Sequence, residues 1–564
     1  MKKIVIVGGV AGGATAAARI RRLDEKAQIT VFERSGHISY ANCGLPYYIG
    51  GAIKDASQLT LQTPESFRAR FNIDMRVRHE VSALHPESKT VTVRNLDTGD
   101  VFEESYDQLL LAPGAKPVLP PLPGREHPRL YTLRTVEDTL RIRQAIDREQ
   151  MKSALLIGGG FIGVELAENL REAGLAVTLI DLQPQLLNQL DPEMAAFIHA
   201  HMREKGVRLM LERGVSGFAD DNGRIQAKLS DGSAVTADLA VLAIGVAPDS
   251  TLAKDAGLAL GLRGSILVNE RMETSIPDIY AVGDAVQLRH LVTGEPALIS
   301  LAGPANKQAR VAADNMCGLR SRYDGALGSS VLKVFDLTAA ATGLSEKAAK
   351  AAGLRCDKVY LSPASHAGYY PGGKTMTMKV LFDPDSCRLL GAQIVGADGV
   401  DKRIDVLATA MHAGMDARSL KTLDLAYAPP YSSAKDPVNM AGFMIENLSN
   451  GLIRQFHWDE AGSLPQDGSV LLLDVRTPQE YARGHIDGFV NLPVDSIREH
   501  LSALEKGKPV YLVCQSALRS YIAARILSAH GFSCSHLAGG YRLYQTVMLD
   551  RPAAKTAAAC GREG

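Results

Sequence analysis

Apolar runs that end in glycine recur in the first half of the chain. Residues 3–13, KIVIVGGVAGG, predict a strand that enters a glycine turn, followed by the helical segment ATAAARIRRL. Residues 153–163, SALLIGGGFIG, repeat the pattern 150 positions later and lead into VELAENLREAGL. A second apolar strand follows each helix and ends at Glu33 or Asp181. The chain therefore contains two predicted strand–helix–strand units.

Both glycine turns have the spacing of dinucleotide-binding loops. Glycine lets a pyrophosphate approach the backbone amides at a helix N-terminus, and an acid about 20 residues later contacts a ribose hydroxyl. The second loop has the complete fingerprint, whereas Val10 replaces the middle glycine of the first. Two copies in register predict two bound dinucleotides. The candidate residues are Gly8, Gly9, Gly12, Gly13 and Glu33 at the first site and Gly158, Gly160, Gly163 and Asp181 at the second.

The surroundings of the two loops distinguish their ligands. Asp181 is followed by Leu-Gln-Pro-Gln, which offers no cation to a 2′-phosphate, so the second site favours NADH over NADPH. FAD is expected at the first site, because the apolar run from residue 279 ends in Gly-Asp284 and that acid can bond a ribityl hydroxyl. We expect a helix to start directly after Asp284. Phe161 either covers the flavin until nicotinamide displaces it or packs within its helix.

Changes in strand and helix pattern divide the chain into a multidomain α/β protein. The segments 109–115 and 242–248 are expected to close the two nucleotide units. These units are a split FAD-binding domain (1–115 and 246–325) and an NADH-binding domain (116–245), both Rossmann-like. Short strands and helices over 326–450 predict an α+β domain. After a linker at 457–468, residues 458–550 alternate β and α again, and residues 551–564 predict a disordered tail.

Composition narrows the possible functions. The 564 residues carry 62 Lys and Arg against 62 Asp and Glu, and this zero net charge argues against nucleic acid as a partner. No apolar run is long enough to span a membrane, and glycines interrupt the apolar stretch at the N-terminus, so a soluble cytoplasmic protein is expected. Seven cysteines without a C-x-x-C pair predict neither a metal site nor a disulfide scaffold.

Cys43 is the first candidate nucleophile. It lies in SYANCGLPY, just after the first strand–helix–strand unit, where the fold places a segment near the flavin ring. Pro46 permits a helix to start here, and the positive end of that helix is expected to lower the thiol pKa. A two-cysteine reductase needs a second thiol five residues later, where Tyr48 stands. Cys43 should therefore form a sulfenic acid or a mixed disulfide with an outside thiol.

Residues 1–450 resemble the single-cysteine branch of the pyridine nucleotide–disulfide oxidoreductases, and SYANCGLPY is most similar to its coenzyme A-disulfide reductase members. The resemblance implies a homodimer whose dimerisation domain, 326–450, contributes to the partner's active site. It implies that Tyr427 protonates the leaving thiolate and that Lys435 meets coenzyme A phosphates. Phe71 stands where the family supplies a lysine, so this phosphate pocket is expected to differ, with Arg70 a possible substitute. Further candidates for coenzyme A are Ser39 and Asn42 at the pantetheine arm, a hydroxyl of Tyr369 or Tyr370, and Arg19 and Arg22, which alternatively form a solvated basic helix end.

Cys514 is the second candidate nucleophile. It follows the apolar strand PVYLV and opens the loop CQSALRS before a helix, so several backbone N–H groups point toward its sulfur. Together with Arg519 they would stabilise a thiolate or a persulfide anion. With Asp474 and His485 in supporting structural roles, residues 458–550 resemble rhodanese domains. Cys534 is expected at a strand edge, and the alternative is a role as a resolving or relay thiol.

A coenzyme A-disulfide reductase fused to a rhodanese module is similar to the NADH-dependent persulfide reductases. The resemblance implies that Cys514 takes up sulfane sulfur and passes it to coenzyme A, and that Cys43 then releases hydrosulfide and forms a mixed disulfide with coenzyme A. FAD, NADH and coenzyme A are the implied cofactors. Two alternatives stay open: an NADH oxidase or peroxidase that cycles Cys43 through sulfenic acid with His37 nearby, and a sulfur-carrier or redox-sensing flavoprotein without turnover.

Overall fold

The computed structural model describes residues 1–551. The part of the predicted disordered tail from residue 552 onward, which includes Cys560, lies outside the described residues. This part of the chain divides into two compact units. The first contains Met1–Pro184 and Gly206–Gly328, and the second contains Gln185–Lys205 and the chain from Ser329 onward. Among the helices of residues 1–551, none has the length and apolar character that crossing a bilayer requires.

The first unit contains a five-stranded parallel sheet. In spatial order its strands are β18 (Ile279–Ala281), β7 (Gln108–Leu111), β1 (Lys3–Val7), β2 (Gln28–Glu33) and β3 (Asp74–Val77). Ile4 and Ile6 face one core, which includes α1 (Ala11–Leu23) and α8 (Ala302–Met316). Val5 and Val7 face another, which includes the antiparallel strands β4 (His79–His85), β5 (Thr90–Asn95) and β6 (Val101–Ser105). Because both faces are covered, β1 is a continuous apolar run.

A second five-stranded parallel sheet repeats this arrangement within the first unit. Its strands, in spatial order, are β12 (Arg208–Met210), β11 (Ala176–Ile180), β10 (Ser153–Ile157), β16 (Leu239–Leu242) and β9 (Leu130–Tyr131). The internal repeat seen in the sequence is thus a repeat of parallel strands and connecting helices. The accompanying elements are α4 (Val136–Arg148), α5 (Phe161–Glu172) and an antiparallel sheet of β13 (Val215–Asp221), β14 (Arg224–Leu229) and β15 (Ala234–Ala237).

The segment after β18 differs from the prediction. Instead of a helix after Asp284, the chain makes a single 3-10 turn over Gly283–Ala285 and then becomes extended. Ala285 accepts a backbone hydrogen bond from Ile266, and Val286 pairs with the same residue, so bridge formation replaces helix propagation. The remaining elements of this unit are α2 (Leu45–Gly50), α3 (Pro64–Phe71), α7 (Thr251–Asp255), β8 (Ala115–Pro117), β17 (Val246–Pro248), β19 (Leu288–Arg289) and β20 (Pro296–Ala297).

The second unit begins with an antiparallel sheet. In spatial order its strands are β21 (Ser330–Val334), β22 (Leu337–Gly343), β25 (Leu389–Gly396), β24 (Thr377–Phe382) and β23 (Asp357–Leu361). Its helices are α6 (Pro192–Glu204), α9 (Glu346–Ala351), α10 (Val400–His412) and α11 (Pro437–Ser449). The helix α6 connects two strands of the second parallel sheet, yet it belongs to this unit, where Lys379 of β24 bonds to Asp191 and Glu193.

A third parallel sheet forms the C-terminal part of the second unit. In spatial order its strands are β26 (Gln455–Phe456), β30 (Cys534–Leu537), β29 (Val510–Val513), β27 (Leu471–Asp474) and β28 (Val490–Asn491). The helices α12 (Pro478–Ala482), α13 (Leu518–Ala529) and α14 (Gly540–Asp550) complete it. The predicted fold class, with its small C-terminal α/β module, is confirmed.

Candidate functional site

The first glycine loop fits the pyrophosphate of a dinucleotide. Gly8 has a φ of +96°, and a side chain there would place its Cβ 2.1 Å from the carbonyl oxygen of Ala112. At Gly13 a Cβ would lie 1.8 Å from the Gly8 oxygen. Glu33 accepts a hydrogen bond of 2.8 Å from the N–H of Gly9, which fixes the carboxylate beside the loop. The loop opens into a cavity of about 880 Å³ that Gly12 and Asp284 also line.

The second glycine loop has the same construction. Gly158 has a φ of +108°, and a Cβ at Gly163 would lie 1.9 Å from the Gly158 oxygen. The space around Gly160 is open, because a Cβ there would meet no described atom within 4 Å. Asp181 accepts a 2.5 Å hydrogen bond from the N–H of Gly159 and is thereby held at the end of β11. The predicted residues of both loops are brought together as the fingerprint requires.

Cys43 lines the same cavity as the first glycine loop. It lies in a 3-10 turn over Asn42–Gly44, and α2 begins two residues later. Its thiol is accessible, but the surrounding protein removes enough water to raise its pKa. Glu165 and Asp284 raise that pKa further, while Arg134 lowers it. The expectation of a lowered pKa was wrong because burial and two nearby carboxylates outweigh the end of a six-residue helix.

Three residues near Cys43 were missed by the sequence analysis. Tyr47 donates a 3.3 Å hydrogen bond to Glu165, and burial raises the pKa of Glu165 to about 7. Arg134 forms a 2.7 Å ion pair with Asp284. Glu165 follows Phe161 by four residues in α5, so helical spacing alone places both on one face. No comparable pattern pointed to Arg134 or Tyr47, because their partners are distant in the sequence.

The candidate coenzyme A residues of the first unit have different surroundings. Arg19 forms a 2.7 Å ion pair with Asp314, whereas Arg22 is exposed. Ser39 has a φ of +45° and lines the cavity beside Cys43. The side-chain oxygen of Asn42, also at this cavity, is buried and has no hydrogen-bond partner among residues 1–551. An orphaned acceptor beside Cys43 is suited to a donor on a bound ligand.

Phe71 has the structural role of an apolar residue. Its ring lies 5.0 Å from that of Phe67, and it packs against the core that α1 and α8 share. Arg70, the suggested substitute for a lysine at this position, is exposed. Any phosphate contact at this end of α3 therefore depends on Arg70 or on a neighbouring element.

Two of the candidate residues in the second unit are hydrogen-bonded to each other. The hydroxyls of Tyr369 and Tyr427 lie 2.7 Å apart, and this bond raises the pKa of Tyr427. Both side chains are accessible, at 76% and 45% exposure. Tyr370 instead packs edge-on against His366, so Tyr369 is the one that shares a site with Tyr427. Lys435, close to Tyr427 in sequence, is exposed.

Cys514 lies beneath a closed loop. Its side chain is fully buried, and its carbonyl oxygen accepts a 2.8 Å hydrogen bond from the N–H of Tyr541. Ala517, three residues into the loop, adopts a left-handed conformation with φ +69° just before α13. Arg519 forms two 2.7 Å hydrogen bonds with Glu480, and these bonds lower the pKa of Glu480 to about 2. The arginine is therefore fixed at the start of the helix that the loop enters.

The supporting residues of the C-terminal module make contacts within the module. Asp474 and Arg476 form a fully buried ion pair at 2.6 Å, and His485 stacks on Tyr481 at 3.9 Å between ring centroids. Cys534 lies at the start of β30, level with Val510 of the neighbouring strand, whereas Cys514 follows the end of that strand. Burial raises the pKa of Cys534 to about 11.

Comparison with known proteins agrees with these observations. Residues 2–309 match the pyridine nucleotide-disulphide oxidoreductase family, residues 329–437 match the dimerisation domain of that family, and residues 457–546 match the rhodanese-like domain. A coenzyme A disulfide reductase from Staphylococcus haemolyticus is 38% identical over 449 residues, which are 79% of this chain and 100% of the relative.

Two solved structures resemble nearly the whole chain. The reduced CoADR-RHD of Bacillus anthracis has 47% identity and a TM-score of 0.95, with 98% of this chain and 99% of the other covered. An NAD-dependent persulfide reductase from A. fulgidus has 37% identity and a TM-score of 0.90, with 96% and 100% covered.

A more distant structure resembles only the first four-fifths of the chain. The water-forming NADH oxidase from Lactobacillus brevis has 28% identity and a TM-score of 0.77, and 80% of this chain and all of the other are covered. Proteins of the matched family use FAD and NAD(H), which confirms the two expected dinucleotides. With its glycine loops, its solitary cysteine at the cavity and its C-terminal module, the chain belongs to the pyridine nucleotide-disulphide oxidoreductase family and carries a rhodanese-like domain in the same polypeptide.

Proposed function

We propose that this protein is an NADH-dependent flavoprotein that reduces coenzyme A persulfide, polysulfide or coenzyme A disulfide. The observation that carries the proposal is the position of Cys43, which opens into the cavity of the first glycine loop. The next cysteine in the sequence is Cys317, so the neighbouring segment offers no second thiol. A solitary thiol in that position can form a disulfide only with an external thiol. Relatives named coenzyme A disulfide reductase and persulfide reductase support coenzyme A in this role.

The covalent step begins with the Cys43 thiolate. It attacks the sulfur of the persulfide that carries coenzyme A, forms the Cys43–S–S–CoA bond and breaks the S–S bond of the persulfide, so that hydrosulfide leaves. FAD, when bound, supplies the two electrons that originate from NADH and cleave the mixed disulfide. The Cys43 thiolate is regenerated, and Tyr427, hydrogen-bonded to Tyr369, protonates the departing coenzyme A thiolate.

The remaining candidate residues hold the ligands in this proposal. FAD is bound by the first glycine loop together with Glu33 and Asp284. NADH is bound by the second loop together with Asp181. Phe161, at the start of α5, covers the flavin until nicotinamide displaces it. The coenzyme A contacts are Arg19, Arg22, Ser39, Asn42, Tyr369 and Lys435, with Tyr370 supporting Tyr369. The orphaned Asn42 oxygen favours an amide N–H of the pantetheine arm as its donor.

The C-terminal module delivers sulfur in this proposal. Cys514 accepts sulfane sulfur as Cys514–S–SH and passes the outer sulfur to coenzyme A thiolate, which becomes coenzyme A persulfide while Cys514 returns to the thiolate. Because the Cys514 side chain is buried, the loop over 515–519 must open for each transfer. Arg519, fixed by Glu480, stabilises the anion.

The larger organisation is also part of the proposal. The protein acts as a cytoplasmic homodimer through residues 326–450, with the FAD domain over 1–115 and 246–325, the NADH domain over 116–245 and the rhodanese-like domain over 458–550. The match to a dimerisation domain supports this assembly. The balanced charge of the chain favours small-molecule substrates over nucleic acid.

The oxidase or peroxidase reaction is the second candidate, because a water-forming NADH oxidase has a similar fold over 80% of the chain. In this reaction Cys43 would pass through sulfenic acid. The C-terminal module and the higher identity to coenzyme A disulfide reductases favour persulfide chemistry. A protein without turnover is disfavoured by the presence of two dinucleotide-binding loops.

The test is anaerobic turnover of NADH with coenzyme A persulfide, followed as hydrosulfide release. Cys43→Ser should abolish release, and Cys514→Ser should spare it while impairing only the use of bulk sulfane sulfur. Cys356→Ser, a half-buried thiol outside both sites, is the matched control and should match the wild type. Full activity of Cys43→Ser would refute the mechanism, and fast hydrogen peroxide turnover without any thiol would favour the second candidate.

A further inference from the structure

Arg403, in the first turn of α10, is a buried arginine of the second unit. Its Nη1 donates a 3.1 Å hydrogen bond to the carbonyl oxygen of Gly399. Glycine makes room for the guanidinium at that position, because a Cβ on residue 399 would collide with Nη1. The Nε of Arg403 has no hydrogen-bond partner among residues 1–551. Burial of a charged group with one unsatisfied N–H is costly, so stability alone does not explain an arginine here.

The other terminal nitrogen of Arg403, Nη2, joins two separate segments of the chain. It lies 3.0 Å from the carbonyl oxygen of Ser365 and 3.1 Å from a carboxylate oxygen of Asp436. The hydroxyl of Ser432 lies 3.0 Å from Nη2 and donates a 2.6 Å hydrogen bond to the same carboxylate oxygen. All four residues are buried, and we call them the Arg403 network.

The first segment that the network holds carries Tyr369. Ser365 precedes this tyrosine by four residues and is bonded through its carbonyl oxygen. Two residues later, the N–H of Ala367 donates a 3.0 Å hydrogen bond to the carbonyl oxygen of Ser432. The N–H of Tyr370 then closes a turn onto the carbonyl oxygen of Ala367. Tyr369 therefore lies inside a turn whose first residue is tied to the second segment.

The second segment that the network holds carries Tyr427. The N–H groups of Tyr431 and Ser432 both donate to the carbonyl oxygen of Ala428, so the backbone directly after Tyr427 is fixed against Ser432. The far end of this segment is held by Asp436, whose second carboxylate oxygen caps the N-terminus of α11. Both tyrosine-bearing segments therefore meet at one buried cation.

The two tyrosine side chains depend on these backbone anchors. Tyr369 and Tyr427 are 76% and 45% exposed, so packing alone does not hold their hydroxyls 2.7 Å apart. We propose that Arg403 is a positioning residue that keeps the two hydroxyls in hydrogen-bonding contact and thereby orients Tyr427 as the acid for the coenzyme A thiolate. The inference rests on the proposed function for the role of Tyr427. Arginine suits this task because its charge is permanent and its several N–H groups reach different acceptors.

The kinetic test replaces Arg403 with methionine, which fills similar space but donates no hydrogen bond. In the FAD-loaded enzyme, Arg403→Met should lower kcat for coenzyme A persulfide about tenfold, the upper range for one hydrogen bond, and leave KM unchanged. Arg403→Lys should recover most of the loss, because one ammonium at the position of Nη2 can donate to all three acceptors. Lys379→Met, which also removes a buried cation of the second unit, is the control and should keep the wild-type kcat.

A double-mutant cycle tests whether Arg403 acts through the hydroxyl pair. Tyr369→Phe should lower kcat about tenfold, and adding Arg403→Met should lower it by less than about twofold more, because the bond to be held is already absent. Losses that multiply to about a hundredfold would overturn the assignment. If Arg403→Met does not fold, Ser432→Ala decides the matter: a kcat about threefold lower supports the assignment, and an unchanged kcat overturns it.

A spectroscopic readout separates this inference from the proposed function, because it needs no turnover. In protein labelled with 3-fluorotyrosine, the fluorine NMR signal of Tyr427 is identified by its loss in Tyr427→Phe, and its titration gives the pKa of that phenol. Because the bond between the hydroxyls raises this pKa, it should fall in Arg403→Met toward the value in Tyr369→Phe and stay unchanged in Lys379→Met. If this pattern holds but no coenzyme A species is reduced, the positioning of the hydroxyl pair stands and the proposed function fails. An unchanged pKa in Arg403→Met would overturn the inference.

Discussion

Replacing Lys379 with methionine should destabilise the second unit by about 3 kcal/mol, the low end of the cost of breaking a buried ion pair. The lysine is fully buried, and its Nζ lies 2.8 Å from Asp191, 2.5 Å from Glu193 and 3.0 Å from Glu346. Glu346 keeps its bonds to other lysines, and Asp191 keeps bonds to Gln393 and to backbone. The loss therefore falls mainly on Glu193, which then keeps the hydrogen bond from the Tyr360 hydroxyl as its remaining polar contact within residues 1–551.

Trp458 provides the assay, because it is the only tryptophan of the chain and packs near α6 in the second unit. Urea unfolding of the FAD-loaded protein at pH 7.5, followed by tryptophan fluorescence, should show the Lys379→Met transition at a lower midpoint. Lys347→Met removes an exposed lysine of α9 and should change the free energy of unfolding by less than about 0.5 kcal/mol. Adding Glu193→Gln to Lys379→Met should restore part of the stability, because it removes the least compensated carboxylate.

The pH dependence gives the same prediction a second readout. Burial raises the pKa of Glu346, but Lys379 and hydrogen bonds from Lys350 and Lys358 outweigh it and hold that pKa far below the usual value. Such a group stabilises the fold above its unfolded pKa, and the contribution is lost as pH falls. Lys379→Met should therefore cost less at pH 4 than at pH 7.5. A cost below about 1 kcal/mol at pH 7.5, or a cost that does not change with pH, would refute the reasoning.

Three further predictions concern the nucleotide and cysteine sites. Glu165→Gln should lower the pKa of the Cys43 thiol, because the ionised carboxylate of Glu165 raises that pKa. Alkylation of Cys43 by iodoacetamide should therefore be faster in the variant than in the wild type, but only above about pH 7, where wild-type Glu165 is ionised. Equal alkylation rates at pH 8 would contradict this prediction. Asp181→Ala should raise KM for NADH about tenfold in steady-state assays and leave KM for NADPH nearly unchanged; parallel changes would exclude ribose recognition. Ala517→Gly should stabilise the C-terminal module by about 1 kcal/mol, because glycine adopts the left-handed backbone conformation of residue 517 without strain. Thermal unfolding followed by Trp458 fluorescence should show a higher Tm. A lower Tm would show that the loop needs the alanine side chain.

Local patterns in the sequence were sufficient to predict the strands and the glycine loops and to single out the two candidate cysteines, Cys43 and Cys514. A glycine that must adopt a positive φ, such as Gly8 or Gly158, and an acid at the end of the next strand are all close in sequence. Their geometry follows from the strand–turn–helix unit itself. The fold class could therefore be predicted before any contact was known.

The features that escaped prediction depend on contacts between distant segments. The pKa of Cys43 is raised by Glu165 and Asp284, which are more than 100 residues away in the sequence. The helix α6 connects two strands of the second parallel sheet, and this connection does not reveal that a buried lysine 175 residues beyond its last residue bonds to it. Periodicity identifies which face of a helix is apolar, but it does not identify the surface that buries that face.

In the proposed function, strand register limits which thiol can take the sulfur from a persulfide on Cys514. Cys534 is level with Val510, and Cys514 lies four residues further along the parallel neighbour, so the two backbones are about 13 Å apart along the strands. A disulfide requires Cα atoms within about 7 Å, and the two thiols therefore cannot resolve each other without breaking the sheet. The high pKa of Cys534 also leaves it protonated and unreactive at neutral pH. A persulfide on Cys514 must consequently be resolved by a thiol from outside the sheet, and a long diffusible carrier meets that requirement.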